Sequence, residues 1–211
     1  MTDTLNQYPI RQASYQSRLP LYESAGHPGS VLRRPMGKVA VESWVDNDRR
    51  FAEQLLDLEE KFGISSPNMS LLKTEGQDGH PEIYIQGGWV EGKNLFDDSA
   101  DIPVPVVKHA IGAIIDYYRQ AADNSGPYLM DLKPDNIMYG RMADDTEDKL
   151  YFIDIEPLLR DKRPDEPLNF NDMDRIMPEL WLLIDGDLKK NEGWDDLAES
   201  YQDLQRSQLM H

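Results

Sequence analysis

Two polar segments of the chain carry side chains suited to chemistry on phosphate groups. In DLKPDNIM, a carboxylate (Asp131), an ammonium (Lys133) and an amide (Asn136) stand close together along the backbone. In YFIDIEP, an apolar run ends at Asp154, and a carboxylate at a strand end suits Mg²⁺, which prefers oxygen ligands. The simpler explanation of the first segment is a polar turn, because Asp, Asn and Pro are common in turns. Other segments of the chain decide between these two explanations.

The segment at 131–138 resembles the catalytic loop of eukaryotic-type protein kinases, which reads Asp-Leu-Lys-Pro-x-Asn. By this resemblance, Asp131 accepts the proton of the attacking hydroxyl and Lys133 offsets charge on the transferring phosphate. The resemblance also makes Asn136 and Asp154 the Mg²⁺ ligands, with the segment DIE in place of the family's Asp-Phe-Gly. It therefore implies ATP and Mg²⁺ as cofactors.

The segment GGWVEGKNLFD at 87–97 resembles the hinge that joins the two lobes of a kinase. This resemblance implies that the backbone of Gly88 and Val90 binds adenine and that Asn94 contacts ribose. Gly87 then stands at the gatekeeper position and leaves the back of the pocket open.

The segment ESAGHPGSV at 23–31 is similar to the glycine loop that covers the phosphates, with Ser24 in place of the first glycine. Gly26 and Gly29 follow in the family's spacing, and glycine lets the backbone approach phosphate oxygens without a Cβ in the way. Val31 is expected to cap the adenine. A tight β-turn explains this segment equally well by itself, but the four segments occur in the family's order.

One family feature is missing from KVAVESW at 38–44, where kinases carry Val-Ala-x-Lys on the third strand. Glu42 stands in place of the lysine that grips the α- and β-phosphates, and a carboxylate repels them. Either another cation replaces it, or the chain is a weakened or inactive kinase. The cation that we expect is Lys38, which is the nearest lysine. Arg33 is the alternative, because it shares strand parity with Val31.

Two further positions depend on the same resemblance. The helical acid that pairs with the displaced lysine is expected at Glu53, with Asp57 and Glu59 as alternatives. The family's His-Arg before the catalytic aspartate is Leu129-Met130 here. Because that arginine docks a phosphorylated activation loop, we expect no phosphorylation switch of this kind.

Hydrophobic spacing predicts the elements that must position these side chains. Apolar residues at intervals of four, three and four predict an amphipathic helix at 48–62, and Gly63 is its stop signal. Further patterns predict three strands within 21–45, strands at 82–86, 137–139 and 150–153, a loop at 158–168, and helices at 104–122, 171–185 and 194–208.

The order of these elements predicts an α+β protein with a minimal two-lobed, kinase-like fold and a reduced activation segment. The N-lobe is small and β-rich with one helix, and the C-lobe is mostly helical. We expect a flexible leader at 1–20 and a single domain at 21–211. The domain divides into an N-lobe at about 21–86, a hinge at 87–93 and a C-lobe at 94–211.

Composition limits the classes of partner. With 22 Lys and Arg against 39 Asp and Glu, the 211-residue chain has a formal net charge of -17. Nucleic acids and anionic lipids are bound through a basic face, so we expect no nucleic-acid and no membrane partner. The absence of cysteine excludes disulfides, zinc-thiolate sites and thiol nucleophiles. No apolar run reaches the roughly 18 residues of a membrane span, so we expect a soluble, cytoplasmic-type protein.

The segment after Asp154 is short, and the Ala-Pro-Glu motif of ordinary kinases does not occur. In this compactness the chain resembles the type III secreted effector kinases that pathogenic bacteria inject into host cells. The resemblance implies secretion into the host cytoplasm and a folded host protein as substrate, with the host chaperone HSP90 as a candidate. Lys133 favours transfer to Ser or Thr rather than Tyr. The oligomeric state stays open.

Two other interpretations keep the same fold. A pseudokinase, which binds and regulates a partner without transfer, is favoured by Glu42, Leu129 and Met130. The second is a small-molecule phosphotransferase of the aminoglycoside or choline kinase type. The metal-binding segment of those enzymes can read Ile-Asp-x-Glu, and residues Ile153 to Glu156 fit that pattern. Lys133 followed by proline favours a protein kinase.

Overall fold

The computed structural model describes residues 5–7, 21–24, 27–33, 41–67, 70–75, 81–154, 159–186 and 194–209. Over these residues the chain has the predicted α+β class, with strands and one helix first and mostly helices after. The helices are α1 (Val41–Phe62), α2 (Val104–Asp123), α3 (Phe170–Asp185) and α4 (Asp195–Leu209). The strands are β1 (Leu5–Gln7), β2 (Leu21–Ser24), β3 (His27–Arg33), β4 (Ile64–Ser65), β5 (Ser70–Glu75), β6 (Pro81–Gly88), β7 (Glu91–Asn94), β8 (Gly126–Leu129), β9 (Ile137–Arg141), β10 (Lys149–Phe152) and β11 (Leu159–Lys162).

A five-stranded antiparallel sheet is formed in the order β1-β2-β3-β6-β5. Its register places Ser30 opposite Gly88 and Val31 opposite Gly87. Strand β3, which carries the second half of the predicted glycine loop, therefore runs directly beside the predicted hinge. Within the predicted leader, β1 pairs with β2, and the other leader residues lie outside the described part of the chain.

Helix α1 corrects one prediction and confirms another. The third strand expected within 21–45 is wrong, because the helix already begins at Val41. Val41, Trp44 and Val45 continue the three-and-four spacing of the later turns, and this period favours helix over the β-propensity of single residues. The predicted stop is confirmed at Gly63, whose φ of 68° is the left-handed conformation that ends helices.

A second sheet, in the order β4-β10-β9-β7, connects the hinge region to the catalytic segment. Strands β7 and β9 approach each other closely where Gly92 lies opposite Gly140. A Cβ built at Gly92 would lie 2.7 Å from the Cα of Gly140, and real Cβ atoms essentially never come within 3.0 Å of a heavy atom. Two glycines are therefore required at this crossing.

Strand β11 lies within the segment 158–168, for which a loop was predicted, and that prediction is wrong over Leu159–Lys162. The sequence LRDK has little intrinsic strand preference. Its backbone is nevertheless satisfied because it pairs antiparallel with β8, with Leu159 opposite Leu129. A tertiary partner thus determines this strand.

The core lies between the helices and the second sheet. Helix α4 packs against α2 and α3, and α1 packs against α2. Fully buried members of this core include Leu58, Ile64, Leu95, Ile111, Ile114, Ile115, Tyr118, Leu132, Ile137, Ile176 and Leu180. The predicted helices at 104–122, 171–185 and 194–208 are confirmed. No helix in the described part of the chain is long and apolar enough to cross a membrane.

Candidate active site

The predicted catalytic loop joins β8 to β9, and its backbone is hydrogen-bonded to the hydroxyls of two tyrosines of α2. The hydroxyl of Tyr118 donates to the carbonyl of Leu129 at 3.1 Å and accepts from the amide of Leu132 at 3.0 Å. The hydroxyl of Tyr117 accepts from the amide of Leu129 at 2.7 Å. Burial raises the pKa of Tyr118 well above its usual value, so this phenol stays neutral and can keep both bonds.

Three of the predicted reactive residues converge at the end of this loop. The amide of Ile153 donates to the carbonyl of Asn136 at 2.9 Å, which places Asp154, the next residue, beside the loop. The Asn136 side-chain Nδ2 donates to the carbonyl of Asp131 at 2.8 Å. The structure therefore places the backbones of Asp131, Asn136 and Asp154 close together, although Asn136 and Asp154 are 18 positions apart in the sequence.

The donor set at this point fits Mg²⁺. Since the Nδ2 of Asn136 is bound to the loop, its amide oxygen is the atom of this side chain that could act as a ligand. An amide oxygen and the carboxylate of Asp154 are the hard ligands that Mg²⁺ prefers. No group of three or more His, Cys, Asp or Glu side chains forms a metal site among the described residues. A metal held here would therefore complete its shell with water and nucleotide phosphate oxygens.

Asp131, the predicted base, is held by a residue that the sequence interpretation missed. Its side chain is only 11% exposed, and its Oδ2 accepts from the Nη2 of Arg175 on α3 at 3.2 Å. Its Oδ1 is buried and has no hydrogen-bond partner within the structure. An unpaired buried carboxylate oxygen costs free energy, so the oxygen that is left for a substrate hydroxyl is Oδ1.

Lys133 lies between two carboxylates. Its ammonium donates to Asp135 at 2.5 Å and to Glu179 of α3 at 3.0 Å. Burial opposes the charged form, but the hydrogen bonds to Asp135 and Glu179 outweigh it and raise the pKa of Lys133. Burial, and next the Asp135 carboxylate, raise the pKa of Glu179. Two acids thus share a single ammonium, and their mutual repulsion contributes to the shift at Glu179.

The predicted hinge lies where β6 ends and β7 begins. The amide of Gly88 donates to the carbonyl of Pro67 at 2.5 Å, and the carbonyl of Gly88 is the group predicted to meet adenine. A Cβ at Gly88 would lie 2.5 Å from the Sδ of Met142, so a larger residue there would require the flexible Met142 side chain to move. Val90 is buried and lies between the two strands. Their contact with adenine remains a prediction.

Asn94 has a different role from the one expected. Its Nδ2 donates to the carbonyls of Asp135 at 2.8 Å and Ile137 at 3.2 Å. Its Oδ1 accepts from the amides of Phe96 and Asp97 at 2.9 and 3.0 Å. Only 2% exposed, with both ends of its amide occupied, it is not presented to a ribose. It fastens β7, in the predicted hinge segment, to the predicted catalytic loop.

The predicted glycine loop coincides with the β2–β3 hairpin. Ser24 is the last residue of β2 and pairs with His27, the first residue of β3. Gly29 and Val31 lie further along β3, and Val31 is 9% exposed opposite Gly87 of the predicted hinge. A hairpin in this position is compatible with covering a nucleotide, and that function remains a prediction.

Several of the residues predicted to contact the phosphates, or compared with the family's phosphate-binding lysine, lie in or near α1 and β3. Gly26 and Lys38 lie outside the described residues. Glu42 is in the first turn of α1 and not on a strand, because the helix begins earlier than predicted. Its comparison with the family's strand lysine is therefore wrong. Arg33 ends β3 as expected.

The predicted helical acid, Glu53, is exposed on α1. Of its alternatives, Asp57 forms an ion pair with Lys61 at 2.5 Å, and Glu59 accepts from the hydroxyl of Ser65 at 3.0 Å. Asp57 and Glu59 are therefore already engaged, and Glu53 remains the acid predicted to pair with the displaced cation.

Comparisons with known proteins give distant likenesses. No protein-family model matches the sequence, and no curated protein matches it significantly. Solved structures similar to the chain include the Legionella pneumophila Lpg2603 kinase bound to IP6, with a TM-score of 0.49 and 14% identity over 92% of this chain and 67% of that one. They also include WbdD, with a TM-score of 0.38 and 14% identity over 96% of this chain and 45% of that one. This chain thus spans less than half of WbdD, and likenesses this low carry no argument about function.

Proposed function

We propose that the chain transfers the γ-phosphoryl group of ATP, with Mg²⁺, to a Ser or Thr hydroxyl of a protein. The observation that carries this proposal is the convergence of Asp131, Asn136 and Asp154. The backbone bond from Ile153 to Asn136 and the side-chain bond from Asn136 to Asp131 join two segments that are separate in sequence. A carboxylate base next to two oxygen ligands for a metal is the arrangement that phosphoryl transfer requires.

The residues have separate tasks in this reaction. Asn136 and Asp154 would hold Mg²⁺, which when bound neutralises charge on the phosphates. Asp131 orients the substrate hydroxyl and accepts its proton while the oxygen bonds to the γ-phosphorus and the bond to the β-phosphate oxygen breaks. Lys133 supplies a positive charge two residues from the base. Catalysis of this kind consists of positioning and electrostatic stabilisation.

The substrate is expected to be a folded protein. Lys133 beside the base supports transfer to Ser or Thr, and the net charge of -17 makes nucleotide binding dependent on a divalent cation. The resemblance to injected bacterial effector kinases supports a host protein as substrate, with the chaperone HSP90 as the first to test. Secretion into the host belongs to the same proposal.

A pseudokinase is the second candidate, and a specific observation favours it. One oxygen of Asp131 is bound by Arg175 and the other is buried. A substrate hydroxyl can reach this carboxylate only after a local rearrangement. A chain that never rearranges would bind Mg²⁺ and ATP but transfer nothing.

Binding and transfer assays separate the candidates. Thermal shift with ATP and Mg²⁺ measures binding, and labelled ATP measures transfer into a eukaryotic lysate and into purified HSP90. We expect Asp154→Ala to lose Mg²⁺-dependent ATP binding, and Asp131→Ala to bind ATP but lose transfer. Asp144→Ala, at an exposed aspartate of the β9–β10 turn, is the matched control. Unchanged Mg²⁺-ATP affinity in Asp154→Ala would refute the metal assignment, and binding without transfer by the native chain would establish the pseudokinase.

A further inference from the structure

Helix α3 reaches the catalytic loop at two points. Arg175 contacts Asp131 at 3.2 Å, and Glu179 contacts Lys133 at 3.0 Å. Arg175 and Glu179 are four residues apart, so they lie on the same face of the helix. Glu179 also accepts from the backbone amide of Asp135 at 3.1 Å through its second oxygen. One helical face thus contacts both charged side chains that the proposed reaction uses.

The same face anchors α3 to the rest of the C-terminal half. Asp172, three residues before Arg175, is 3% exposed. It accepts from Arg160 of β11 at 2.9 and 3.3 Å and from the hydroxyl of Tyr128 of β8 at 2.9 Å. Because both strands of this two-stranded sheet bind the helix through Asp172, the position of Arg175 is determined by tertiary packing.

We propose that Arg175 and Glu179 are positioning residues, which together we call the α3 clamp. Arg175 holds the Oδ2 of Asp131, so that Oδ1, which is buried in this structure, is the oxygen left for the substrate hydroxyl after the local rearrangement that its access requires. Glu179 holds the loop amide of Asp135 and the ammonium of Lys133 in register with that carboxylate. This inference rests on the proposed function and deepens it, because it names the residues that set the geometry of the base.

A purely stabilising role fits Arg175 poorly. Its side chain is 58% exposed, and ion pairs with an exposed member contribute little to stability. The carboxylate that it binds, however, is 11% exposed and sits in the catalytic loop. A small displacement of a catalytic group lowers rates strongly while leaving stability almost unchanged. The clamp therefore predicts a loss of rate without a loss of fold.

The test compares Arg175→Gln with Arg175→Lys and with Arg206→Gln, an exposed α4 arginine that pairs with Asp203. We expect Arg175→Gln to keep its melting temperature within about 2 °C and its Mg²⁺-ATP affinity, and to lose about 10- to 100-fold in kcat. Arg175→Lys should restore part of the rate, and Arg206→Gln should match the native chain. Equal kcat in Arg175→Gln and the native chain would overturn the clamp.

A second readout is independent of activity. The ¹³C resonance of the Asp131 carboxyl carbon, assigned through its loss in Asp131→Asn, should shift in Arg175→Gln and stay in place in Arg206→Gln. If the native chain transfers no phosphate while this resonance shifts, the proposed function fails and the contact at the base is supported. If the resonance does not shift, the α3 clamp is refuted whatever the activity.

Discussion

Adding a single methyl group where β7 meets β9 should destabilise the protein and weaken nucleotide binding. A Cβ built at Gly140 would lie 2.6 Å from the Cα of Gly92 and would also collide with the carbonyl oxygen of Glu91. Both neighbours are backbone atoms of a paired strand, so neither can move aside without separating the strands. This pairing joins the hinge strand to the strand that follows the catalytic loop.

The magnitude follows from the collision. Inserting a methylene into a packed interior costs about 1–3 kcal/mol, and each ladder hydrogen bond that is lost adds about 1 kcal/mol. We therefore expect Gly140→Ala to lower the free energy of unfolding by about 2–4 kcal/mol. For a chain of this length that corresponds to a fall in melting temperature of roughly 4–16 °C. Urea unfolding followed by circular dichroism measures the loss, and thermal shift with ATP and Mg²⁺ measures the effect on binding.

Gly112→Ala is the matched control, because it adds the same methyl group to the middle of α2. There the new Cβ would meet only the Cδ2 of Leu197 at 3.5 Å, an ordinary van der Waals contact. Alanine is the better helix former, so we expect a gain in stability of about 0.5–1 kcal/mol. If Gly140→Ala is as stable as the native chain, or if both variants lose stability equally, the close approach of the two strands is refuted.

Two further predictions concern the supports of the catalytic loop and of the β9–β10 turn. Tyr118→Phe leaves the Leu129 carbonyl and the Leu132 amide without their partner. Urea unfolding should therefore show a free energy of unfolding lower by about 1–3 kcal/mol, and phosphoryl transfer should slow. Full activity would contradict the role of Tyr118 in holding the loop. The pKa of Asp145 is lowered from 3.8 to about 2 by the hydrogen bond from Tyr151 first. Since the folded value lies below the unfolded one, this contribution is present above about pH 4 and lost as the pH falls toward 2. Acid unfolding of the native chain and of Asp145→Asn should therefore differ most above pH 4 and converge near pH 2, and parallel curves over that range would contradict the assignment.

The helices were the most predictable part of the fold, and the short strands the least. The apolar period of the segment 104–122 is sufficient by itself to bury one face of α2, and the observed helix is Val104–Asp123. The segment LRDK at Leu159–Lys162 carries no such period, and it is a strand only because β8 pairs with it. Local patterns therefore predicted the elements whose own sequence sets out a hydrophobic face to be buried. They missed the elements whose structure depends on pairing with another strand.

Within the candidate site, the kinds of reactive group were predictable and their partners were not. Asp131, Lys133 and Asn136 were identified through the resemblance of their segment to a kinase catalytic loop, and their short separation in sequence keeps them near one another. Asn94 was expected to face a ligand, but the backbone carbonyls of the catalytic loop satisfy it in the interior. An amide side chain looks the same in sequence in both roles, and burial alone distinguishes them.

From the sequence alone one can read which side chains are candidates for the proposed phosphoryl transfer and the α+β order of the elements that present them. The tertiary structure decided which groups hold those side chains in place. Arg175 and Glu179 are 44 and 46 residues from the loop residues that they contact. Contacts at such separations depend on how α3 packs against the loop, and that packing is determined by the burial of the whole core rather than by any local pattern of residues.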